Sequence, residues 1–307
     1  MGRATQAPGQ FYGYSIQVTR MLARLLQCRT GQAVSLEVLD DVAVIGPDGT
    51  TAEQSKSGLA HNPIADRAVD LWKTLCNWVG AIRRGALSSD THFVLYVAQP
   101  HDGCLVRKLH EATGQPAALA LIRELRGDMW GPAPGYPKKK HLPDTLAPFV
   151  NTVLETTDDV LIRLIVSFEL ETGSGSPGDD LQEALLQKAI SKSAVVDVVI
   201  FLLGWVKATV DKLIEQGRPA VITWEEFNSR LLAAAKKFDR SQSLAPTPTE
   251  ISDADVKREL QDRVYVRQLE LIDAKERELV RAVNDYLCAA SDRTSWRRAR
   301  GCARTEP

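Results

Sequence analysis

The segment from Ser35 to Ser57 constrains the fold more than any other part of the chain. It reads SLEVLDDVAVIGPDGTTAEQSKS, in which a Val- and Leu-rich run precedes the turn sequence Gly-Pro-Asp-Gly and a second short run. Val and Ile favour strands, and Gly, Pro and Asp favour tight turns. The segment therefore predicts a β-hairpin formed by residues 33–45 and 50–57.

Helices and one more strand are predicted around this hairpin. Apolar residues recur at helical spacing over 11–28, and again after Asn62-Pro63, a favourable N-cap and N1 pair, as far as Gly85. The run THFVLYVAQ, residues 91–99, has the composition of a buried strand. The predicted order is helix, strands, helix, strand.

The hairpin carries the residues that could perform chemistry. Alternation along a strand would put Glu37 and Asp41 on one face, and Gln54 and Lys56 together on the partner strand. Asp40 would then face the opposite, apolar side unless the chain kinks there. An acid followed thirteen residues later by Gln-x-Lys is a weak pattern by itself, and a charged, solvated hairpin is the alternative interpretation.

These residue types suit metal-dependent hydrolysis of a phosphodiester. Such a reaction needs a hard cation that neutralises charge on the phosphate and lowers the pKa of a bound water. Asp41, Gln54 and Glu37 offer the oxygen ligands that Mg²⁺, or Mn²⁺ in its place, prefers. The ammonium group of Lys56 could orient the water or stabilise the transition state.

Three stretches resemble a known nuclease family: GYSIQ at 13–17, SLEVLDDVAV at 35–44 and AEQSKS at 52–57. They look like the PD-(D/E)xK nuclease core in its Mrr-like variant, where Gln replaces the middle acid. More closely, they resemble the double-stranded DNA endonuclease domain of CBASS effectors and of the nuclease subunit of Lamassu, an ABC-three-component antiphage system.

The resemblance implies a fold, a site and a cofactor. The fold would be an α/β restriction-endonuclease-like core of order α-β-β-β-α-β, with the first strand run dividing near Asp40-Asp41, followed by a mostly α-helical C-terminal domain. Catalytic and metal-binding roles would fall to the residues of the motif and their neighbours, with Mg²⁺ or Mn²⁺ bound. The implied residues are Asp41, Gln54 and Lys56, with Glu37 assisting and Gln17 and Asp40 auxiliary. Whether Asp40 or Asp41 is the principal ligand stays open.

A looser resemblance lies near the C-terminus. YVRQLELI at 265–272 and AVNDYLCAASDRTSW at 282–296 are similar to the closing helices of ABC-three-component proteins. This favours Lamassu and implies an SMC-like ATPase and a small accessory subunit as partners, or another copy of the chain. The basic tail after Trp296 departs from the pattern and suggests a shortened chain.

The length of 307 residues predicts more than one domain. Residues 1–10 would be a flexible N-terminus, 11–130 a nuclease domain, 142–296 a helical docking or oligomerisation domain, and 297–307 a basic tail. Within the helical domain, apolar spacing predicts helices over 145–171 and 252–291.

Charge and cysteine usage restrict the partners and the compartment. The net charge is −1, so any nucleic acid must bind a local patch, for which the loop containing Lys138, Lys139 and Lys140 is a candidate unless its charges are simply solvated. Five scattered cysteines argue against a disulfide framework or a zinc site and favour the cytoplasm. No membrane span is expected.

Trp72, Trp78 and Tyr14 are predicted to be core residues rather than surfaces for base stacking.

The sequence thus predicts a metal-dependent endonuclease acting on double-stranded DNA, an effector held inactive until it assembles. Two rivals remain. One is a noncatalytic adaptor that binds partner subunits through its helices, and the other is an RNase, which the same hairpin chemistry would also serve.

Overall fold

The computed structural model describes residues 7–188, 190–243 and 251–302. Its centre is a mixed sheet of six strands in the spatial order β5-β4-β3-β2-β1-β6. The strands are β1 (Ala33–Leu36), β2 (Val42–Gly46), β3 (Gly49–Lys56), β4 (His92–Val97), β5 (Phe168–Thr172) and β6 (Val221–Thr223). The run β3-β4-β5 is parallel, whereas the β3-β2, β2-β1 and β1-β6 neighbours are antiparallel.

The described residues also form twelve α-helices. They are α1 (Ala7–Gln27), α2 (Val69–Arg83), α3 (Cys104–Glu111), α4 (Gln115–Trp130), α5 (Ala147–Leu154), α6 (Asp158–Val166), α7 (Pro177–Leu186), α8 (Val195–Glu215), α9 (Trp224–Ser243), α10 (Asp253–Asp262), α11 (Val264–Glu270) and α12 (Glu276–Cys302). The first elements follow the predicted order α-β-β-β-α-β. The protein is therefore an α/β protein.

The hairpin forms as predicted. Gly46 pairs with Gly49, so only Pro47 and Asp48 make the turn, and Gly49 adopts a φ of 121°, a conformation that side chains disfavour. The first run of the hairpin divides into β1 and β2, and β4 forms within the predicted 91–99. These elements depend on local turn chemistry and apolar composition, which the sequence displays directly.

The two faces of the sheet bury different helices. On one face α1 packs against β1 and β3 and is itself contacted by α7 and α8. On the other face α2 and α3 to α6 form the larger apolar core, which includes Trp72, Trp78 and Phe93. Burial of these large side chains stabilises the fold by roughly 1.5–3 kcal/mol each.

The start of α2 differs from the prediction. The helix begins at Val69, not at Asn62-Pro63. The side chain of Asn62 instead accepts a hydrogen bond from the backbone of Ile64 at 3.0 Å and donates one to the carbonyl of Asp102 at 2.7 Å. Asn62 therefore stabilises a turn and a contact between two loops instead of capping α2.

Strands β5 and β6 were not predicted. The helical spacing expected over 145–171 holds for α5 and α6, but residues 168–172 form a strand that pairs with β4. Both strands belong to the region predicted to be helical, 142–296, and both lie in the sheet of the predicted nuclease domain. Contacts divide the chain elsewhere, into one unit at Met1–Ala235 and a second at Lys236–Pro307. The expected boundary between 130 and 142 therefore falls inside a single unit.

The second unit is helical and contains a small core. Val266 and Val283 are buried there, and the rings of Tyr265 and Tyr286 lie 5.0 Å apart. The single helix expected over 252–291 is three helices, and two of the apolar residues of this stretch, Val264 and Leu271, are exposed.

At the termini, α1 begins at Ala7 and α12 continues to Cys302, so part of each expected tail is helical. Residues 1–6 and 303–307 of these tails lie outside the described residues. Among the helices that the structure describes, none combines the length and apolar character needed to cross a bilayer.

Candidate active site

An acidic bend, residues 37–41, joins β1 to β2. Glu37 adopts a φ of 55°, which is uncommon for a residue with a side chain, and its N–H donates to the backbone carbonyl of Asp41 at 3.1 Å. Alternation along a strand, on which the joint projection of Glu37 and Asp41 was predicted, does not apply, because the chain leaves the sheet here. The backbone hydrogen bond that closes the bend brings Glu37 and Asp41 together instead.

Asp41 is the centre of a polar cluster at the junction of β2 and β3. Its Oδ2 accepts a hydrogen bond from the backbone N–H of Ser55 at 2.9 Å. Burial raises the pKa of the Asp41 carboxyl, and this shift is opposed by the Ser55 N–H, the charge of Lys56 and the side-chain amides of Gln54 and Gln17. The structure thus brings Asp41, Gln54 and Lys56 together as predicted.

Helix α1 contributes Gln17 to this cluster. The side chain is only 9% exposed, and its Nε2 donates to Oε1 of Glu37 at 2.7 Å. Because the same amide also acts on Asp41, Gln17 connects both carboxylates of the bend. The auxiliary position predicted for Gln17 is therefore matched by direct contact with the site.

Lys56 ends β3 and is half-buried. Within the described part of the chain its ammonium group has no hydrogen-bond or ion-pair partner, although its charge lowers the pKa of both Asp40 and Asp41. An uncommitted, partly desolvated cation near two carboxylates can bind an anionic substrate or stabilise charge that develops on it.

Asp40 contacts α2, on the face of the sheet away from α1, although the chain bends here and alternation along a strand does not apply. The indole N–H of Trp78 in α2 donates to its Oδ2, and the backbone N–H of Asp41 donates to its Oδ1 at 2.9 Å. Burial raises the pKa of Asp40 to about 7 despite these two donors. Both carboxyl oxygens of Asp40 therefore accept hydrogen bonds, one from α2 and one from the bend itself.

A buried ionic cluster fixes α1 against the sheet beside the site, and sequence reasoning missed it. Arg20 donates to both oxygens of Glu53, at 2.6 and 2.9 Å, and Arg24 donates to the same carboxylate at 2.6 Å. Both arginines also contact Glu171 of β5. Two features of the sequence could have indicated the cluster. One is an acid, Glu53, within a predicted strand, and the other is a pair of arginines four residues apart in a predicted helix.

The donor set can be compared with what a metal requires. No group of three or more His, Cys, Asp or Glu side chains suited to a metal occurs among the described residues. The cluster at the bend instead combines the carboxylates of Asp41 and Glu37 with the amides of Gln54 and Gln17. These oxygens are the hard ligands that Mg²⁺ accepts when water completes its octahedral shell.

The loop that was predicted to contact DNA makes contacts of its own. In the lysine loop, Lys139 pairs with Glu155 at 2.6 Å and lies over the ring of Trp130, while Lys138 and Lys140 are exposed. None of the contacts described for the site involves that loop.

Of the three aromatic residues predicted to be core residues, two are buried and one is exposed. Trp72 and Trp78 are buried, whereas Tyr14 is 67% exposed and the prediction for it is wrong. Tyr14 lies near the start of α1, where little packs over the helix.

The site must be interpreted from its own residues. No protein-family model, curated protein or solved structure matches this chain.

Proposed function

We propose that this protein is a metal-dependent endonuclease that cuts double-stranded DNA, with a restriction-endonuclease-like core and its active site at the acidic bend. The observation that supports this most is the meeting of Asp41, Gln54 and Lys56 at one junction of β2 and β3, with Gln17 reaching it from α1. The alternative of a solvated hairpin gives no reason for an acid and an uncommitted lysine to be partly buried together.

Each residue has a role that follows from its chemistry. Asp41, Gln54 and Glu37 would hold Mg²⁺ or Mn²⁺, and Lys56 would contact the scissile phosphate or the attacking water. When bound, the metal ion neutralises charge on the phosphate and lowers the pKa of a bound water. Gln17 orients the two carboxylates of the bend, and Asp40 anchors the bend to the core through Trp78.

We further propose that the enzyme is the effector subunit of a Lamassu-type antiphage complex in the cytoplasm. A nuclease without sequence preference would damage its own cell, so activity should depend on assembly with partner subunits or with a second copy of the chain. Supporting features are the resemblance of its motifs and a separate helical unit at Lys236–Pro307. Lys138 and Lys140 remain proposed DNA contacts.

Plasmid cleavage tests this proposal. Purified protein, alone and with candidate partner subunits, would be incubated with supercoiled plasmid in Mg²⁺ or in EDTA. We expect cleavage only with the metal, lost in Asp41→Ala and Lys56→Ala and kept in Lys73→Ala, an exposed lysine of α2. Folding of each variant would be checked by circular dichroism.

Two outcomes would favour another function. Absence of cleavage under every condition, with partner subunits bound normally, would support the noncatalytic adaptor. Cleavage of RNA in preference to DNA by the same residues would support the RNase.

A further inference from the structure

A small pocket lies beside Lys56. It is bounded by the end of β3, the loop that follows it, the first turn of α2 and Gly13 of α1. Its lining includes Ser55, Lys56, Gly58, His61 and Asp70. Because Ser55 also donates its N–H to Asp41, the pocket adjoins the proposed metal ligands.

His61 and Asp70 are in hydrogen-bond contact at this pocket. The Nε2 of His61 lies 2.7 Å from Oδ2 of Asp70. Among the residues that the structure describes, the other ring nitrogen, Nδ1, has no hydrogen-bond partner, so it is able to donate to a bound molecule. A carboxylate that holds one nitrogen while the other faces the reaction is the usual arrangement around a histidine acting as acid or base.

The loop that carries His61 is fixed at two points. The ring of His101 contacts the carbonyl of Gly58 at 2.7 Å and packs so closely that a Cβ at position 58 would lie 2.8 Å from it. Asn62 donates to the carbonyl of Asp102 at 2.7 Å. Both contacts join the loop to the segment after β4, so His61 is held beside Lys56 by the fold.

We infer that His61, oriented by Asp70, is a further catalytic residue that protonates the leaving oxygen during phosphodiester hydrolysis. This inference rests on the proposed nuclease function. An exposed ion pair contributes little to stability, about 0–1 kcal/mol, which gives the fold little reason to fix such a pair here. The pair lies in the same pocket as Lys56, and a role in the reaction would explain why the fold holds it there.

The step balances without any further reactant. A water oxygen forms a bond to phosphorus and releases a proton to solvent, while the bond between phosphorus and the leaving oxygen breaks. That oxygen takes the proton of Nδ1 from the imidazolium of His61, and solvent later returns a proton to the ring. The ammonium of Lys56 and the carboxylate of Asp70 are the charged groups that face the ring from β3 and α2.

Substrates with a sulfur atom in place of a bridging oxygen at the scissile phosphate test the step. A thiolate leaves without protonation far more readily than an alkoxide, since a thiol has a pKa of about 8.5. We expect His61→Gln to slow single-turnover cleavage of the ordinary substrate by at least about 100-fold. With sulfur at the 3′ or 5′ bridging position that departs, the variant should cleave nearly as fast as wild type.

His92→Gln is the matched control, because His92 also pairs with an acid, Glu169 at 2.7 Å, yet begins β4 at the opposite end of the sheet from Lys56. It should cleave both substrates as wild type does. Equal loss by His61→Gln on both substrates, or no loss on either, would overturn the role of His61 and leave the nuclease proposal standing. Failure of wild type to cleave either substrate, even with partner subunits, would overturn both.

Discussion

At the scale of single residues, the buried acid Glu53 has the largest predicted effect on stability. It is 1% exposed and is shared by Arg20 and Arg24. We expect Glu53→Gln to lower the free energy of unfolding by about 3–5 kcal/mol, because two buried guanidinium groups lose their buried counterion and keep only Glu171 between them. Urea unfolding at pH 7 measures this. The control Glu155→Gln removes an exposed partner of Lys139 and should cost less than about 1 kcal/mol.

The same residue predicts a pH dependence. Burial opposes the ionisation of Glu53, but its hydrogen bonds and attraction to Arg20 and Arg24 outweigh burial and lower the pKa of the carboxyl below its ordinary value of 4.5. Its contribution to stability is therefore fully present above about pH 4.5 and is lost as the pH falls through the lower, folded pKa. The stability difference between wild type and Glu53→Gln should shrink over that acidic range. A stability difference that grows on acidification would contradict the ionic interaction of Glu53 with Arg20 and Arg24.

Cysteine reactivity tests the packing of α1 at another point. Burial raises the pKa of Cys28 to about 11, while Cys104 at the start of α3 is exposed. Since the thiolate is the reactive form, iodoacetamide at pH 8 should alkylate Cys104 much faster than Cys28 in the native protein. Peptide mass mapping over time measures both rates. Equal rates in the native protein would contradict the burial of Cys28, which directly follows α1.

Residues of the site differ in how far the sequence predicts them. Asp41, Gln54 and Lys56 lie within one hairpin, so turn chemistry and spacing were enough to bring them together. The partners of Arg20 are 33 and 151 residues away, at Glu53 and Glu171, and no local pattern identifies such pairs. Tyr14 was wrongly predicted to be buried. Helical spacing shows which residues share one face of a helix, but not whether another element packs against that face.

At the scale of elements, the start of α3 depends on a glycine that nothing larger can replace. A Cβ at Gly103 would lie 2.1 Å from the backbone carbonyl oxygen of Ile64, whereas at Gly114, the N-cap of α4, the nearest atom would be 3.9 Å away. Both residues are N-caps in extended backbone, so Gly→Ala costs each a similar loss of capping.

We therefore expect Gly103→Ala to be less stable than Gly114→Ala by about 1–3 kcal/mol, the usual range for forced packing in a close-packed site. Thermal and urea unfolding of the two variants provide the comparison. Equal stabilities would contradict the close approach of α3 to the loop before α2.

Strands were predicted well only where the signal was local. The hairpin and β4 carry turn residues or a β-branched run, whereas β5 follows directly from the helical pattern of α6 and β6 has only three residues. What makes residues 168–172 and 221–223 strands is pairing with β4 and β1, which is a property of the assembled sheet. Secondary-structure propensity is a weak guide in such places.

At the scale of the whole molecule, the position of the domain boundary is testable by truncation. A fragment of residues 1–243 retains the six strands and the helices that cover them, and we expect it to unfold cooperatively. A fragment of residues 1–141, close to the boundary expected from the sequence, lacks β5, β6 and the helices that cover α1. It should show neither native circular dichroism nor a cooperative transition. Native folding of the shorter fragment would contradict the single unit Met1–Ala235.

The central claim is that the acidic bend binds a divalent metal, and Mn²⁺ binding to the whole protein tests it most directly. Titration calorimetry would compare wild type with Asp41→Asn and with Asp48→Asn, which removes an exposed acid of the hairpin turn. The account predicts saturable binding by wild type and Asp48→Asn, weakened at least about tenfold in Asp41→Asn. Binding of equal strength in all three proteins would contradict it.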